Sequence, residues 1–313
     1  MIIVTGGAGF IGSNLLRYLN SVSQEPILVV DDLTDGSKFR NLVGVQIADY
    51  MDKDEFLGRV QTGQDFGSVS YVLHQGACSD TTEWNGRLMM ADNYHYSRAV
   101  LDFCQAHEVP LIYASSAAVY GASEQFSEHP RNEQPLNVYG YSKLLFDQYV
   151  RRMQATARAQ IVGLRYFNVY GPNEKHKKSM ASVAFHFDQQ IRQSGVCRLF
   201  AGHDGYAAGE QQRDFVYVGD VCKVVSWFME HADKSGIFNV GTGRSQSFND
   251  VANAVIRWHG AGDIEYIPFP EHLEGRYQSF TQADLTDLRH AGYRDEFADV
   301  ATGVTAYLDA ENP

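Results

Sequence analysis

A chain of 313 residues, 44% hydrophobic and 20% charged, is long enough for one large or two ordinary domains around a substantial core. Its formal net charge of -12 argues against a nucleic-acid partner or an anionic membrane surface, so phosphates must be bound locally, by backbone amides and a few chosen bases. No apolar run reaches the roughly 20 residues of a membrane span. The start MIIVTGGAGF lacks a basic leader, and Cys78, Cys104, Cys197 and Cys222 form no C-x-x-C pair, which suits a cytoplasmic chain with reduced thiols. The 11 histidines show no metal-binding spacing, so no metal site is expected.

In chain order, Ile2–Val4 reads as a strand and Ile11–Leu19 as a helix, followed by strands at Ile27–Val30 and Tyr71–Leu73. A helical run around Tyr94–Cys104, a strand at Leu111–Tyr113, a helix from Val138 to Met153 and a strand at Ile161–Leu164 continue the alternation. That rhythm predicts an α/β fold: a Rossmann-type, doubly wound parallel sheet with helices on both faces. Beyond Asn168 the pattern loosens around an amphipathic segment, Ala181–Arg192. It then resumes with Phe215–Val218, a helix near Asp220–Met229, Phe238–Val240 and a helix from Asn249 to Trp258. The expected organisation is a dinucleotide-binding domain, 1–167 with returning segments near 214–242, and a smaller C-terminal α/β substrate-binding lobe, 168–213 and 243–313. Trp84, Phe185 and Phe187 could face a base or sugar, but helix-spaced aromatics are more often core.

The first loop carries the clearest chemistry. Gly7-Ala-Gly9-Phe-Ile-Gly12 satisfies G-x-G-x-x-G, and Gly6, Gly9 and Gly12 also keep a three-residue spacing. The motif lies between a strand and a helix, with Asp31 19 residues after Gly12. Glycines allow the tight turn and close approach to a pyrophosphate, and the helix N-terminus offsets its charge. Asp31 suits a ribose 2′-hydroxyl and so reads as NAD. Lys38 and Lys53 could reach the adenosine end, although spacing alone favours reading them as solvated surface charges.

The stretch NVYGYSK holds two tyrosines near one lysine. At about 100° per residue, Tyr139 and Lys143 share a helix face, whereas Tyr141 points to the opposite side. Asn137 is a good N-cap, but a Tyr–Lys pair at this spacing is also an ordinary surface pairing. The strand running into Ser115 and Ser116 supplies hydroxyls at the sheet's carboxyl edge, where open α/β folds bind ligands. Ser116, Tyr139 and Lys143 beside a dinucleotide make an acid–base set. Lys143, helped by an oxidised nicotinamide ring, would lower the phenol's pKa from about 10, Tyr139 would exchange a proton with a substrate hydroxyl, and Ser116 would orient that oxygen.

These motifs, with SSAAVYG, resemble the extended short-chain dehydrogenase/reductase superfamily. More narrowly, HQGACSDTTEWNG, RYFNVYGPNEKHKKSMASVAFH, RDFVYVGDV and GRYQSFTQADLT resemble the ADP-L-glycero-D-manno-heptose 6-epimerase family, over nearly the whole chain. The resemblance implies epimerisation of ADP-D-glycero- to ADP-L-glycero-D-manno-heptose for the lipopolysaccharide core. It implies tightly held NADP and a cytoplasmic homo-oligomer, usually a pentamer. Transferred residue by residue, it implies that Gly6, Gly9, Phe10, Ile11, Gly12, Asp31, Asp32, Lys38 and Lys53 line the cofactor. Gln75, Gly76, Ala77, Cys78, Ser79, Asn93, Tyr139, Lys143, Val169 and Lys177 would join them. Ser116, Asn168, Ser179, His186, Phe200, Ala201, Gly202, His203, Arg213 and Tyr277 would hold substrate. Arg213 in QQRDF also suits a diphosphate on its own chemistry.

Epimerisation adds a geometric demand. Hydride leaves one face of C6 and returns to the other, so the oxygen cannot stay beside one acid, and a second proton donor is needed. NEKHKK offers Lys175, Lys177 and Lys178, and reads equally as a solvated basic loop; the resemblance places the second base at Lys177. Three departures from the family stand out. Asp32 replaces its usual Asn and adds negative charge near the adenosine ribose. The loop from Gly202 to Arg213 is longer than usual, and Lys178 replaces a small residue, a neighbouring cation expected to favour the neutral amine of Lys177. Related 4,6-dehydratases carry an Asp-Glu pair after the catalytic Ser/Thr; here Ala117 and Ala118 have no proton to exchange. A UDP-hexose 4-epimerase would use Ser116, Tyr139 and Lys143 equally well. A dinucleotide sensor without turnover would need no Tyr139–Lys143 pair.

Overall fold

The structure, a computed structural model, describes residues 1–270 and 278–312. Its frame is a seven-stranded parallel sheet in the order Gly236–Val240, Ile161–Tyr166, Leu111–Ser116, Tyr71–His74, Ile2–Thr5, Ile27–Asp31, Asp49–Asp52. This is the doubly wound sheet expected from the alternation. The central strands are nearly continuous apolar runs, every residue of Ile2–Thr5 and Ile27–Asp31 being buried, as a sheet covered on both faces requires. Alternate residues feed two cores: Ile2, Val4 and Val29 on one face, Ile3, Leu28 and Val30 on the other. The outermost strand, Asp49–Asp52, buries only Met51, consistent with an edge.

A third core, built from Tyr170, Phe187, Ile191, Leu199, Phe215, Val255 and Val304, joins the helices Val183–Ser194, Phe248–His259 and Val300–Glu311. Phe187 thus packs inside and Phe185 is half-buried, whereas Trp84 is 66% exposed and is not core. Beside these helices runs a small parallel pair, Val196–Phe200 with Asp263–Ile267. Segment 168–170 pairs with 215–217, tying the lobe to the chain that returns to the main sheet at Gly236–Val240.

Chain reversal between Ile2–Thr5 and Tyr71–His74 opens a crevice at the sheet's carboxyl edge, the place where such folds bind ligands. At that edge His74 is buried, 2.6 Å from Thr5 Oγ1 and 2.8 Å from Ser97 Oγ. Burial, with Lys143 nearby, pulls its imidazole down to about 3, so it is a neutral structural hydrogen-bonder. Behind Leu111–Ser116, fully buried Arg165 pairs with Asp147 at 2.9 Å and with Glu133, which also binds Arg151. Such buried charges are tolerable only when paired, and this network fixes the helix Val138–Met153 against Ile161–Tyr166. Among the described residues no helix is long and apolar enough to cross a membrane.

Candidate active site

A cleft of about 930 Å³ runs along the carboxyl edge of the sheet. At one end the glycine loop folds onto its neighbours. Gly6 adopts φ +67°, where a Cβ would lie 2.6 Å from Gly76 N, and a Cβ on Gly12 would lie 2.1 Å from Gly6 O; only glycine fits. The helix Phe10–Val22 starts at Gly9 without a side-chain cap and without an acidic residue in its first turn. Its N–H groups and positive end therefore face the cleft uncompensated. Gln75, on the same wall, has a buried Nε2 with no hydrogen-bond partner among the described residues. This cradle fits the diphosphate of a dinucleotide.

At the adenosine side Asp31 Oδ2 accepts from Ala8 N at 2.7 Å, and Oδ1 accepts from Asp32 N and Lys38 Nζ, each at 2.7 Å. Lys53 Nζ lies 3.8 Å from Asp32 and 3.5 Å from Asp92. Both lysines are therefore at the cleft, each matched to a carboxylate.

At the other end the helix Val138–Met153 is capped by Asn137, whose Oδ1 accepts from Gly140 N at 2.8 Å. It carries Tyr139 and Lys143 into the cleft opposite Ser116, while Tyr141 is exposed. Burial raises the Tyr139 phenol above its ordinary value, and a hydrogen bond with the Ser116 side chain opposes that rise. The expected lowering by Lys143 is not what the structure gives. Lys143 Nζ donates to Ala114 O at 2.9 Å, and burial pulls its ammonium down to about 8 against the upward pull of Asp147 and Cys78.

The second lysine also lines the cleft. Lys177 Nζ sits 3.3 Å from Glu174 Oε2 and 4.8 Å above the Phe10 ring. Glu174 is itself buried, accepting from Gly171 N and from the N and Oγ of Ser182. Lys178 is exposed at φ 52°, and its charge helps to hold Asp35 low, behind the Ser37 hydrogen bonds.

The sequence pattern of the NAD dependent epimerase/dehydratase family matches residues 2–241. This chain belongs to that family. It is 59% identical, over 99% of its own length and 97% of the relative's, to ADP-L-glycero-D-manno-heptose-6-epimerase of Alkalilimnicola ehrlichii. Among solved structures it resembles the enzyme of that name from Helicobacter pylori, with TM-score 0.86 and 33% identity over 99% and 95% of the two chains. Thermus thermophilus UDP-glucose 4-epimerase in complex with NAD matches with TM-score 0.79 and 26% identity over 98% and 97%.

Seen as a family member, the chain brings most of the expected residues to one cleft. Gly6, Gly9, Phe10, Ile11, Gly12, Asp31, Asp32, Lys38, Lys53 and the segment 75–79 line it, as do Ser116, Tyr139, Lys143, Asn168, Val169, Lys177, Phe200 and Arg213. Asn93 does not. It is fully buried behind the wall, accepting from Cys78 N at 2.8 Å and donating to Cys78 O and Ser142 Oγ, each at 3.0 Å. It therefore holds the Cys78 turn from behind. Ser179, exposed, and His186, ring to ring with Phe185, are off the cleft wall, as are Ala201, Gly202 and His203. Gly202 is closed against Tyr206 O, 2.4 Å from where its Cβ would stand, and His203 stacks on Phe269 at 3.9 Å. Tyr277 lies outside the described residues.

Asp92 and Phe248 line the cleft although neither lies in any stretch singled out in the sequence, and Tyr166, Met180, Gln278 and Thr281, which lie in the family-like stretches, line it without having been given a role. Phe248 lies under the Arg213 guanidinium at 5.8 Å. His176 also lines the cleft; its place between lysines in NEKHKK was its only signal.

Proposed function

We propose that the protein epimerises ADP-D-glycero-D-manno-heptose at C6 to the L-glycero form, with NADP, for lipopolysaccharide core precursor synthesis. The observation that carries this reading is the 59% identity, across 99% of the chain, to a relative named for that epimerase. The cleft supports it with Tyr139, Ser116, Lys143 and Lys177 on one surface.

The residues divide the work. Glycines 6, 9 and 12 and the first turn of Phe10–Val22 would hold the dinucleotide diphosphate; Lys38 and Lys53 would meet its adenosine ribose. When bound, the dinucleotide takes up and gives back hydride. Tyr139 takes the proton of the C6 hydroxyl, Ser116 orients that oxygen, and buried Lys143 supplies positive charge behind the phenol. Inversion needs the keto sugar to offer its opposite face, so its oxygen must find another donor, the role we give to Lys177. Arg213, above the Phe248 ring in the cleft that Phe200 also lines, suits the substrate's diphosphate. Ala117 and Ala118 at the cleft leave elimination without an acid–base pair. We further place the enzyme in the cytoplasm as a homo-oligomer, a pentamer by family resemblance.

Purified protein given ADP-D-glycero-D-manno-heptose and, separately, UDP-glucose tests the reading. Conversion of the heptose alone is expected; conversion of the hexose alone would make the chain a UDP-hexose 4-epimerase.

A further inference from the structure

His176 lies at the adenosine end of the cleft on the segment 171–180, which is tied down from several sides. Asn14 Nδ2 donates to Pro172 O at 2.9 Å, and Asn173 Nδ2 donates to Ser13 Oγ at 3.1 Å. The key contact comes from Asn41. Its Nδ2 donates to Ala8 O at 2.9 Å and lies 3.1 Å from His176 Nδ1. The Ala8 carbonyl accepts only, so it fixes which end of the Asn41 amide is nitrogen. That nitrogen is a donor, so Nδ1 of the imidazole must accept, and the ring proton belongs on Nε2. Burial, reinforced by Lys38 and Lys177, lowers the imidazole pKa against the opposing pull of Asp31 and Asp35, which keeps this neutral tautomer. Nε2–H has no partner among the described residues, and the ring lines the cleft.

The charges around it give that donor a purpose. Asp31, Asp32 and Asp92 face Lys38 and Lys53, and both lysines are already in ion pairs with them. A phosphate entering here meets one more carboxylate than lysine and needs a donor not already committed.

We infer that His176 Nε2–H is a ligand for the 2′-phosphate of the dinucleotide, so that His176, with Lys38 and Lys53, sets the preference for NADP over NAD. This rests on the NADP reading above. Because His176 is adjacent to Lys177, the same short segment would touch both the cofactor's phosphate end and the proposed second base.

The test equilibrates the full chain with equimolar NADP and NAD, removes free nucleotide by gel filtration and quantifies what is retained by liquid chromatography. Wild type should retain mostly NADP. In His176→Ala the NADP:NAD ratio should fall about tenfold, the usual worth of a hydrogen bond to a charged group. His176→Gln, which keeps an N–H donor, should recover much of the ratio. A merely structural role would lower retention of both nucleotides together and leave their ratio unmoved, which would overturn the inference. So would a wild-type-like ratio in a folded His176→Ala protein. Preference for NAD in the wild type would overturn the NADP reading itself, and this inference with it.

Discussion

Asp147 follows Lys143 by one turn of the helix Val138–Met153, and its charge is the strongest influence opposing the loss of the Lys143 proton. Asp147 is completely buried and held by Tyr113 Oη, Ser115 Oγ and Arg165 Nε, each at 2.9 Å. The carboxylate thus ties the strand that ends in Ser116 to the helix that carries Tyr139.

A pH prediction comes from this pair. Burial brings Lys143 to about 8, so it is cationic below that pH and neutral above it. If its charge supports proton transfer at Tyr139, kcat/KM should decline as pH rises through about 8. Asp147→Asn removes the carboxylate that favours the cation, so the decline should move to lower pH; Asp147→Glu should keep it near its original place. The pH–rate profiles of the three proteins check this.

Lys177 is one-fifth exposed and has a single ion pair among the described residues, so replacing it should leave the fold intact. Lys177→Met should lower epimerase turnover by roughly 10²-fold or more, the usual contribution of a positioned acid or base, while the protein keeps its dinucleotide. Turnover within a fewfold of wild type would remove Lys177 from the mechanism.

Gly12 tests the cradle. An alanine Cβ there would stand 2.1 Å from the Gly6 carbonyl oxygen, and both are backbone-fixed. Gly12→Ala should therefore release the dinucleotide, seen as loss of nucleotide absorbance, and cost about 1–3 kcal/mol of stability by overpacking. Gly36→Ala, where a Cβ meets nothing within 4 Å, is the matched control and should do neither.

His74 links acidity to stability. Its folded pKa, about 3, lies below the ordinary value of 6.5, so between those values the unfolded chain binds the extra proton. Its contribution is complete above pH 6.5 and erodes as pH falls, by roughly 1.4 kcal/mol per pH unit. His74→Gln cannot titrate. Denaturant unfolding at pH 7 and pH 5 should show a smaller loss for the variant than for wild type.

What the chain alone disclosed was whatever local patterning controls. The strands around Val4, Val29, Leu73 and Ile112, the glycine turn and the Asn137-capped helix with Tyr139 and Lys143 were readable because period, cap and spacing are properties of adjacent residues. The edge strand Asp49–Asp52 was not, since it pairs on one side only and buries a single side chain. Nor was the π-helical turn Met90–His95, which swings Asn93 behind the Cys78 turn rather than into the cleft. The Arg165–Asp147–Glu133 network and the Asn41–His176 contact join residues far apart in sequence. Their meaning depends on burial, and no short motif encodes it. The upward shift of the Tyr139 phenol belongs with these: it comes from burial, opposed by the Ser116 hydrogen bond, and burial is not written in the Tyr139–Lys143 spacing.

The most direct measurement is proton NMR of ADP-D-glycero-D-manno-heptose incubated with the protein in D2O. The account predicts conversion to the L-glycero epimer with the C6 proton retained, because the hydride removed from C6 is the one returned, and no conversion by Tyr139→Phe. Deuterium at C6 would contradict it by requiring exchange with solvent. No conversion by dinucleotide-loaded wild-type protein would contradict it outright.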